Sequence, residues 1–139
     1  MRQLSEIVSG QDPLCLESTA TVRAACQQMS EKRTGSALVT DADGDLIGIF
    51  TGRDAVRRVL AAGKSAARTT LSSVMTANPV TIEADKTALD ALRLMWDCGF
   101  RHVPVIENDI VIGVVSSGDF KGDEQGRLEE ERELWEHLR

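Results

Sequence analysis

Gly113-Val114-Val115-Ser116-Ser117-Gly118-Asp119 decides the fold, because an earlier stretch, Gly48-Ile49-Phe50-Thr51-Gly52-Arg53-Asp54, writes the same pattern. Each has a glycine, two apolar residues, a hydroxyl residue, two spacers and an aspartate. The apolar pair reads as the end of a buried strand. The hydroxyl and the aspartate read as the start of a helix. A helix start offers unpaired N–H groups and the positive end of a dipole, which suits a phosphate. An aspartate one turn on is placed to accept hydrogen bonds from vicinal ribose hydroxyls. A plainer reading fits equally: Thr51 and Ser116 as N-caps, with Asp54 and Asp119 at N3 facing the dipole.

Working outward, the repeat extends well beyond the two heptads. Leu4 to Ile7 reads as a short helical turn, and Asp12-Pro13 forces an extended backbone before a strand at Leu14-Cys15-Leu16. Thr21 caps a helix from Val22 to about Lys32, with Val22, Ala25, Cys26 and Met29 on one stripe and Gly35 closing the region. Ser36–Thr40 and Leu46–Phe50 form a hairpin around Asp41-Ala42-Asp43-Gly44. A helix then starts at Thr51 or Gly52, runs through Val56, Val59 and Leu60, and stops at Gly63. The pattern restarts at Leu71. Asn78-Pro79-Val80-Thr81-Ile82 echoes the first strand, Thr87 echoes Thr21, and Ala88, Ala91, Leu92 and Met95 make the stripe. His102–Ile106 and Ile110–Val115 echo the hairpin. Met29 matches Met95 and Pro13 matches Pro79, 66 positions apart, while Gly48 matches Gly113 and Asp54 matches Asp119 at 65.

The expected fold is therefore α+β: two β-α-β-β-α units, packed with pseudo-twofold symmetry because neither covers its own core. The boundaries read 3–63 for the first unit, 64–70 for a linker, 71–122 for the second unit and 123–139 for an acidic C-terminal helix. Gly122 predicts a short or broken last helix in unit two. The tail helix is expected from about Gln125 to His137, with pairs Arg127–Glu131 and Arg132–Glu136 and a thin apolar stripe of Leu128, Leu134, Trp135 and Leu138. That stripe suits packing on the chain's own body or on a partner.

Composition narrows the function. At 139 residues the chain buries roughly two thirds of its unfolded surface without a disulfide or metal staple. A net charge of −6 argues against general nucleic-acid or anionic-membrane binding. Residues 51–70 depart from that balance, with Arg53, Arg57, Arg58, Lys64 and Arg68 against Asp54. They read as a solvated face, or as a source of one cation for a bound phosphate. Cys15, Cys26 and Cys98 have no metal-like spacing, and the N-terminus shows no apolar signal region, so the expected location is the cytoplasm. Asp41, Asp43 and Asp45 mimic a calcium loop, but its twelfth position is Gly52, so no metal is assigned. No nucleophile lies near a base, and no catalytic residue is assigned.

At this point the residues resemble the tandem CBS domain pair, or Bateman module, over about residues 3–122. Val74-Met75-Thr76-Ala77-Asn78-Pro79-Val80-Thr81 and Arg101-His102-Val103-Pro104-Val105 are similar to its opening and middle motifs. The resemblance implies a regulatory module, not an enzyme, that binds AMP, ADP, ATP or S-adenosylmethionine in the clefts between its units and requires no cofactor. It implies a homodimer acting on a separate regulated protein. Carried over residue by residue, Thr51 and Asp54, and again Ser116 and Asp119, match the phosphate and ribose positions. Pro79 and Val80 match a segment whose backbone meets adenine, and Arg101 and His102 lie where relatives hold phosphate. Arg53 joins them from the basic cluster. In the first copy, Leu38 stands where the middle motif has proline, and Gly35-Ser36 where the second has Arg101-His102. The alternative is a ligand-free interaction or dimerisation module.

Overall fold

Two threonines set the frame. Thr21 and Thr87 each turn their hydroxyl back to accept from the amide three residues on, at 3.1 Å and 3.3 Å, and a long helix begins after each. In the computed structural model, which describes residues 1–138, the order is α1 (Leu4–Ile7), β1 (Cys15–Glu17), α2 (Val22–Lys32), β2 (Ser36–Thr40), β3 (Leu46–Thr51) and α3 (Gly52–Asp54). A π-helical stretch (Ala55–Leu60) continues α3, followed by α4 (Leu71–Val74), β4 (Thr76–Ala77), β5 (Ile82–Glu83) and α5 (Ala88–Cys98). Last come β6 (His102–Glu107), β7 (Ile110–Ser116), a 3-10 turn (Ser117–Asp119) and α6 (Gly122–His137). The fold is α+β, and α6 is the expected charged C-terminal helix.

The chain divides into two compact units that do not follow the order of the repeats: Pro13–Pro79, and Met1–Asp12 together with Val80–Arg139. In the first, the sheet runs β1-β2-β3-β4, with β1 parallel to β2 and the other pairs antiparallel. Its core gathers Val22, Ala25 and Met29 from α2 with Val39, Phe50 and Leu71. In the second, β5-β6-β7 repeats the parallel-then-antiparallel pairing. Its core joins Ala88, Ala91 and Met95 of α5 with Val103, Val115 and Leu4.

Each unit is completed by the opening segment of the other repeat, in matching geometry. In the first unit the Leu71 amide donates to Ala20 O and the Val22 amide to Thr69 O, both at 2.9 Å. In the second the Leu4 amide donates to Lys86 O and the Ala88 amide to Arg2 O, also at 2.9 Å. Residues 64–70 are thus fastened to the start of α2, the Arg23 amide donating to Ala66 O at 3.0 Å.

Four features differ from the sequence reading. Arg33, not Gly35, ends α2: its φ of 54° makes the left-handed turn, which a side chain adopts at a cost of about 1–2 kcal/mol. Residues 76–77 pair with β3 as a fourth strand the sequence did not suggest. After α3 the backbone winds as a π-helix, so only Val59 is buried there, while Val56 and Leu60 face out. α6 starts at Gly122 because Glu124 accepts from the Lys121 amide at 2.8 Å, which makes Gly122 the first residue of a new helix. Its side chains also turn to α5: Arg93 Nε donates to Glu131 Oε2 at 2.8 Å and Arg132 pairs with Asp97 at 3.5 Å.

The shared shape of the two heptads has a packing cause at its first residue. A Cβ on Gly48 would strike Met75 Sδ, and one on Gly113 would lie 2.6 Å from Val8 Cβ. Met75 ends in a flexible thioether, whereas Val8 is β-branched and stiff. Gly113→Ala should therefore destabilise by about 1–3 kcal/mol and Gly48→Ala by less, the urea midpoints giving the order. Equal midpoints for the two variants would contradict this account.

Candidate functional site

The two heptads end in closed hydrogen-bonded boxes. In the first, Asp54 Oδ2 accepts from the Thr51 amide at 3.0 Å and the Thr51 hydroxyl at 3.2 Å, and the Asp54 amide donates to Thr51 Oγ1 at 3.3 Å. In the second, Asp119 Oδ2 accepts from the Ser116 amide at 2.7 Å and the Ser116 hydroxyl at 3.2 Å. A third box, which the sequence reading passed over, sits outside either heptad. Asp90 Oδ2 accepts from the Thr87 amide and hydroxyl, both at 3.0 Å. Its Thr-x-x-Asp spacing was the available signal. Because Thr87–Asp90 merely opens α5, box geometry by itself reports capping.

The surroundings of the two heptad boxes differ. Asp54 is 9% exposed, and Arg58 reaches its Oδ1 at 3.6 Å while donating to Met75 O at 2.9 Å and Val74 O at 3.2 Å. Arg58 lies at i+4 from Asp54, a spacing that favours such a pair. Asp119 is exposed, and its Oδ1 has no protein partner among the described residues. Beside it, His102 stands opposite Ser116 in the β6–β7 register, and the Ser117 amide donates to Arg101 O at 3.1 Å. Ser36 stands opposite Thr51 in the same way, and the Gly52 amide donates to Gly35 O at 3.1 Å. The strand end that carries Arg101 and His102 in the second repeat thus carries Gly35 and Ser36 in the first.

The structure therefore brings Arg101, His102, Ser116 and Asp119 together in one unit, and Thr51, Arg53 and Asp54 together in the other. Pro79 closes the unit that holds Thr51. It follows Asn78, whose φ is 49° and whose amide donates to Ile47 O at 3.0 Å. Val80 belongs to the unit that holds Asp119 and is 47% exposed. The dipole expectation fares unevenly. α3 runs on into a π-helical stretch, but Ser117–Asp119 is a single 3-10 turn followed by an extended Phe120, too short to sum a dipole. Arg2 is a further neighbour that the sequence did not reveal. It donates to Glu124 Oε1 at 2.6 Å and to Asp119 O at 3.1 Å, fixing the carbonyl behind the second box.

A CBS domain family model matches residues 4–61 and again 71–122. The chain is 38% identical over 120 residues to CBS domain-containing protein CBSCBSPB3 of Arabidopsis thaliana, a match that spans 86% of this chain and 22% of that protein. It thus spans about a fifth of the length of that relative. Among solved structures it is similar to the CBS-domain containing protein ATU1752 from Agrobacterium tumefaciens, at 32% identity and a TM-score of 0.78, over 84% of this chain and 89% of that one. It shares the fold of CBS domain protein PAE2072 from Pyrobaculum aerophilum, complexed with AMP, at 24% identity and a TM-score of 0.81, over 93% of this chain and 99% of that one. No helix of the described residues is long and apolar enough to cross a membrane.

Two carboxyls here are held below the usual range. For Asp90 the chief cause is the Thr87 amide, with the Thr87 hydroxyl and Arg93 adding to it. For Glu124 it is the hydrogen bond from Arg2, with the Lys121 amide adding to it. A carboxyl whose folded pKa is depressed stabilises fully above its unfolded value, about 4, and loses that contribution as pH falls through the folded value. Stability should hold from pH 7 to about pH 5 and then decline, and Asp90→Asn with Glu124→Gln should flatten the acid limb of a denaturation series. Thr87→Ala should cost about 1 kcal/mol in the same assay.

Proposed function

The chain belongs to the CBS domain family as a tandem pair, and from that premise we propose that it is a regulatory nucleotide-sensing module whose working site is the Ser116–Asp119 box with Arg101 and His102. The supporting observation is the exposed Asp119 carboxylate, with Oδ1 available to accept from the two hydroxyls of a ribose. Arg101 and His102, on the adjoining strand end, supply the chemistry for a phosphate or for the charged tail of S-adenosylmethionine's relatives. Val80 offers backbone to an adenine. Asp54 is less suited, since Arg58 already occupies its Oδ1 side. Thr51, Arg53 and Pro79 then belong to a second, weaker site or to the frame alone.

The ligand class is adenosyl: AMP, ADP, ATP or S-adenosylmethionine. AMP is bound by the PAE2072 protein, whose likeness to this chain is one of fold. Signalling in this reading is differential affinity: the ligand favours one arrangement of a cytoplasmic homodimer, and only the difference in affinity between arrangements reaches the regulated protein. No catalytic step is part of it.

The ligand-free interaction module remains the second reading, because the Thr87–Asp90 box shows that such geometry arises without a ligand. Calorimetric titration with the four adenosyl ligands separates the two. Saturable binding is expected, with Asp119→Ala weakening it about tenfold or more, equivalent to about 1.4 kcal/mol, and Asp54→Ala changing it by less than about twofold. Unchanged affinity in a folded Asp119→Ala protein would return Ser116 and Asp119 to the role of caps.

A further inference from the structure

The two heptad boxes are held in shape by different means. In the first, α3 passes without a break into the π-helical stretch, and the Ala55 amide donates to Gly52 O. That turn is supported by its own helix. In the second, Ser117–Asp119 is one 3-10 turn, and Phe120 is extended directly after it. A single turn of this kind has poor hydrogen-bond geometry, and no helix follows on to supply amides to its carbonyls. Ser117 O, which matches Gly52 O in the repeat, accepts instead from Gln125 Nε2 at 3.4 Å. Asp119 O accepts from Arg2 Nη2 at 3.1 Å.

Both donors are placed by α6. Gln125 lies in its first turn. Arg2 meets Glu124 with a two-armed fork: Nη2 donates to Oε1 at 2.6 Å and Nε to Oε2 at 3.2 Å. Glu124 is 3% exposed and also accepts from the Lys121 amide at 2.8 Å, closing the start of α6. The main chain of Arg2 is fixed as well, its carbonyl accepting from the Ala88 amide at the start of α5 at 2.9 Å. One guanidinium thus joins the carbonyl behind the box to the capping carboxylate of α6. A charge-assisted pair with two parallel bonds brings geometric specificity as well as energy, so it sets where Nη2 lies. In the other unit Thr69, with no charged side chain, stands in the place of Arg2, its carbonyl accepting from the Val22 amide at 2.9 Å.

We propose that Arg2 is a positioning residue for the nucleotide site, and that the seating of α6 and the occupation of the Ser116–Asp119 box are coupled through it. This rests on the nucleotide-sensing reading given above and names how that site is regulated. A ligand on the box needs Asp119 and the turn that carries it held in one geometry. Seated α6 supplies that order in advance, which lowers the ordering cost of binding. Linkage then requires the converse: bound nucleotide tightens the seating of α6. α6 is in this way the element through which occupancy is reported.

Calorimetry and hydrogen exchange on the full chain test the two directions, with whichever of AMP, ADP, ATP and S-adenosylmethionine binds wild type most tightly. Arg2→Ala should weaken binding about fivefold or more, the lower end of ordinary coupling between sites. Arg2→Lys keeps the charge but loses the fork, and its affinity should fall between. Thr87→Ala loosens the same unit at the cap of α5 and should leave affinity within about twofold of wild type, which separates positioning from general loosening. In wild type, saturating nucleotide should slow exchange of the α6 amides about fivefold or more. In Arg2→Ala, saturated at higher concentration, α6 should no longer respond, while the amides of β6 and β7 still do. Unchanged affinity in Arg2→Ala, or α6 exchange that ignores nucleotide in wild type, overturns the coupling and leaves the nucleotide reading standing. A loss in Thr87→Ala equal to that in Arg2→Ala overturns the positioning role of Arg2. Wild type that binds none of the four ligands overturns this inference and the nucleotide reading together.

Discussion

Leu4 and Leu71 are both fully buried, and each sits in the unit formed mainly by the other repeat. Much of the architecture depends on this exchange. A three-stranded β-α-β-β layer cannot cover its own face, and the first turn of its long helix carries amide donors with no helical partner. The incoming segment answers both needs. Its leucine fills the core, and its backbone accepts from the Val22 or Ala88 amide. The close approach of Met75 to Gly48, and of Val8 to Gly113, is the steric trace of the same event. In the first unit the segment goes further, pairing Thr76 and Ala77 with β3 to make a fourth strand. In the second, Gln11 takes that role through its side chain, accepting from the Val114 amide at 2.9 Å and donating to Val114 O at 3.1 Å.

Most of the repeated heptad is therefore accounted for by folding alone. Its glycine makes room for a neighbour, the second of its apolar pair, Phe50 or Val115, fills a core, and its hydroxyl and carboxylate close a capping box. The Thr87–Asp90 box serves as an internal control for that statement. What distinguishes a binding position from a cap lies outside the heptad, in whether the carboxylate is exposed and in what the neighbouring strand presents. By that measure the two copies have diverged. Arg58 seals one carboxylate, while Asp119 is left facing water beside Arg101 and His102.

The long elements were legible because their ends are written in local chemistry. Thr21 and Thr87 mark caps, and both stripes repeat at helical spacing, so α2 and α5 start where the sequence puts them. The turn at Asp41–Gly44 was legible for the same reason: Asp41 Oδ1 accepts from two amides, and Gly44 has a φ of 84°. Features set by tertiary contacts were not legible. β4 exists only because β3 is beside it. Glu124, which caps the start of α6, is also held by Arg2, 122 residues away in sequence. The π-helical winding after Asp54 places Val56 outward, which the apolar pattern alone could not reveal. At the site, the residue identities were visible in the heptads, but the difference in exposure between Asp54 and Asp119 was not, because burial is set by what packs around each carboxylate and not by the heptad pattern.

The exchanged opening segments also mean that chain order and compactness disagree. One unit is contiguous from Pro13 to Pro79, while the other is assembled from both ends of the chain. In a circularly permuted order, residues 80–139 followed by 1–79, each unit becomes a single uninterrupted stretch. The natural order must instead bring Arg2 back to Glu124 across nearly the whole chain, a closure whose entropy is recovered only once the intervening unit has formed. Such a permutant would trade that late, long-range closure for a local one, and a comparison of its refolding rate with that of the natural order would isolate what the exchange costs in time.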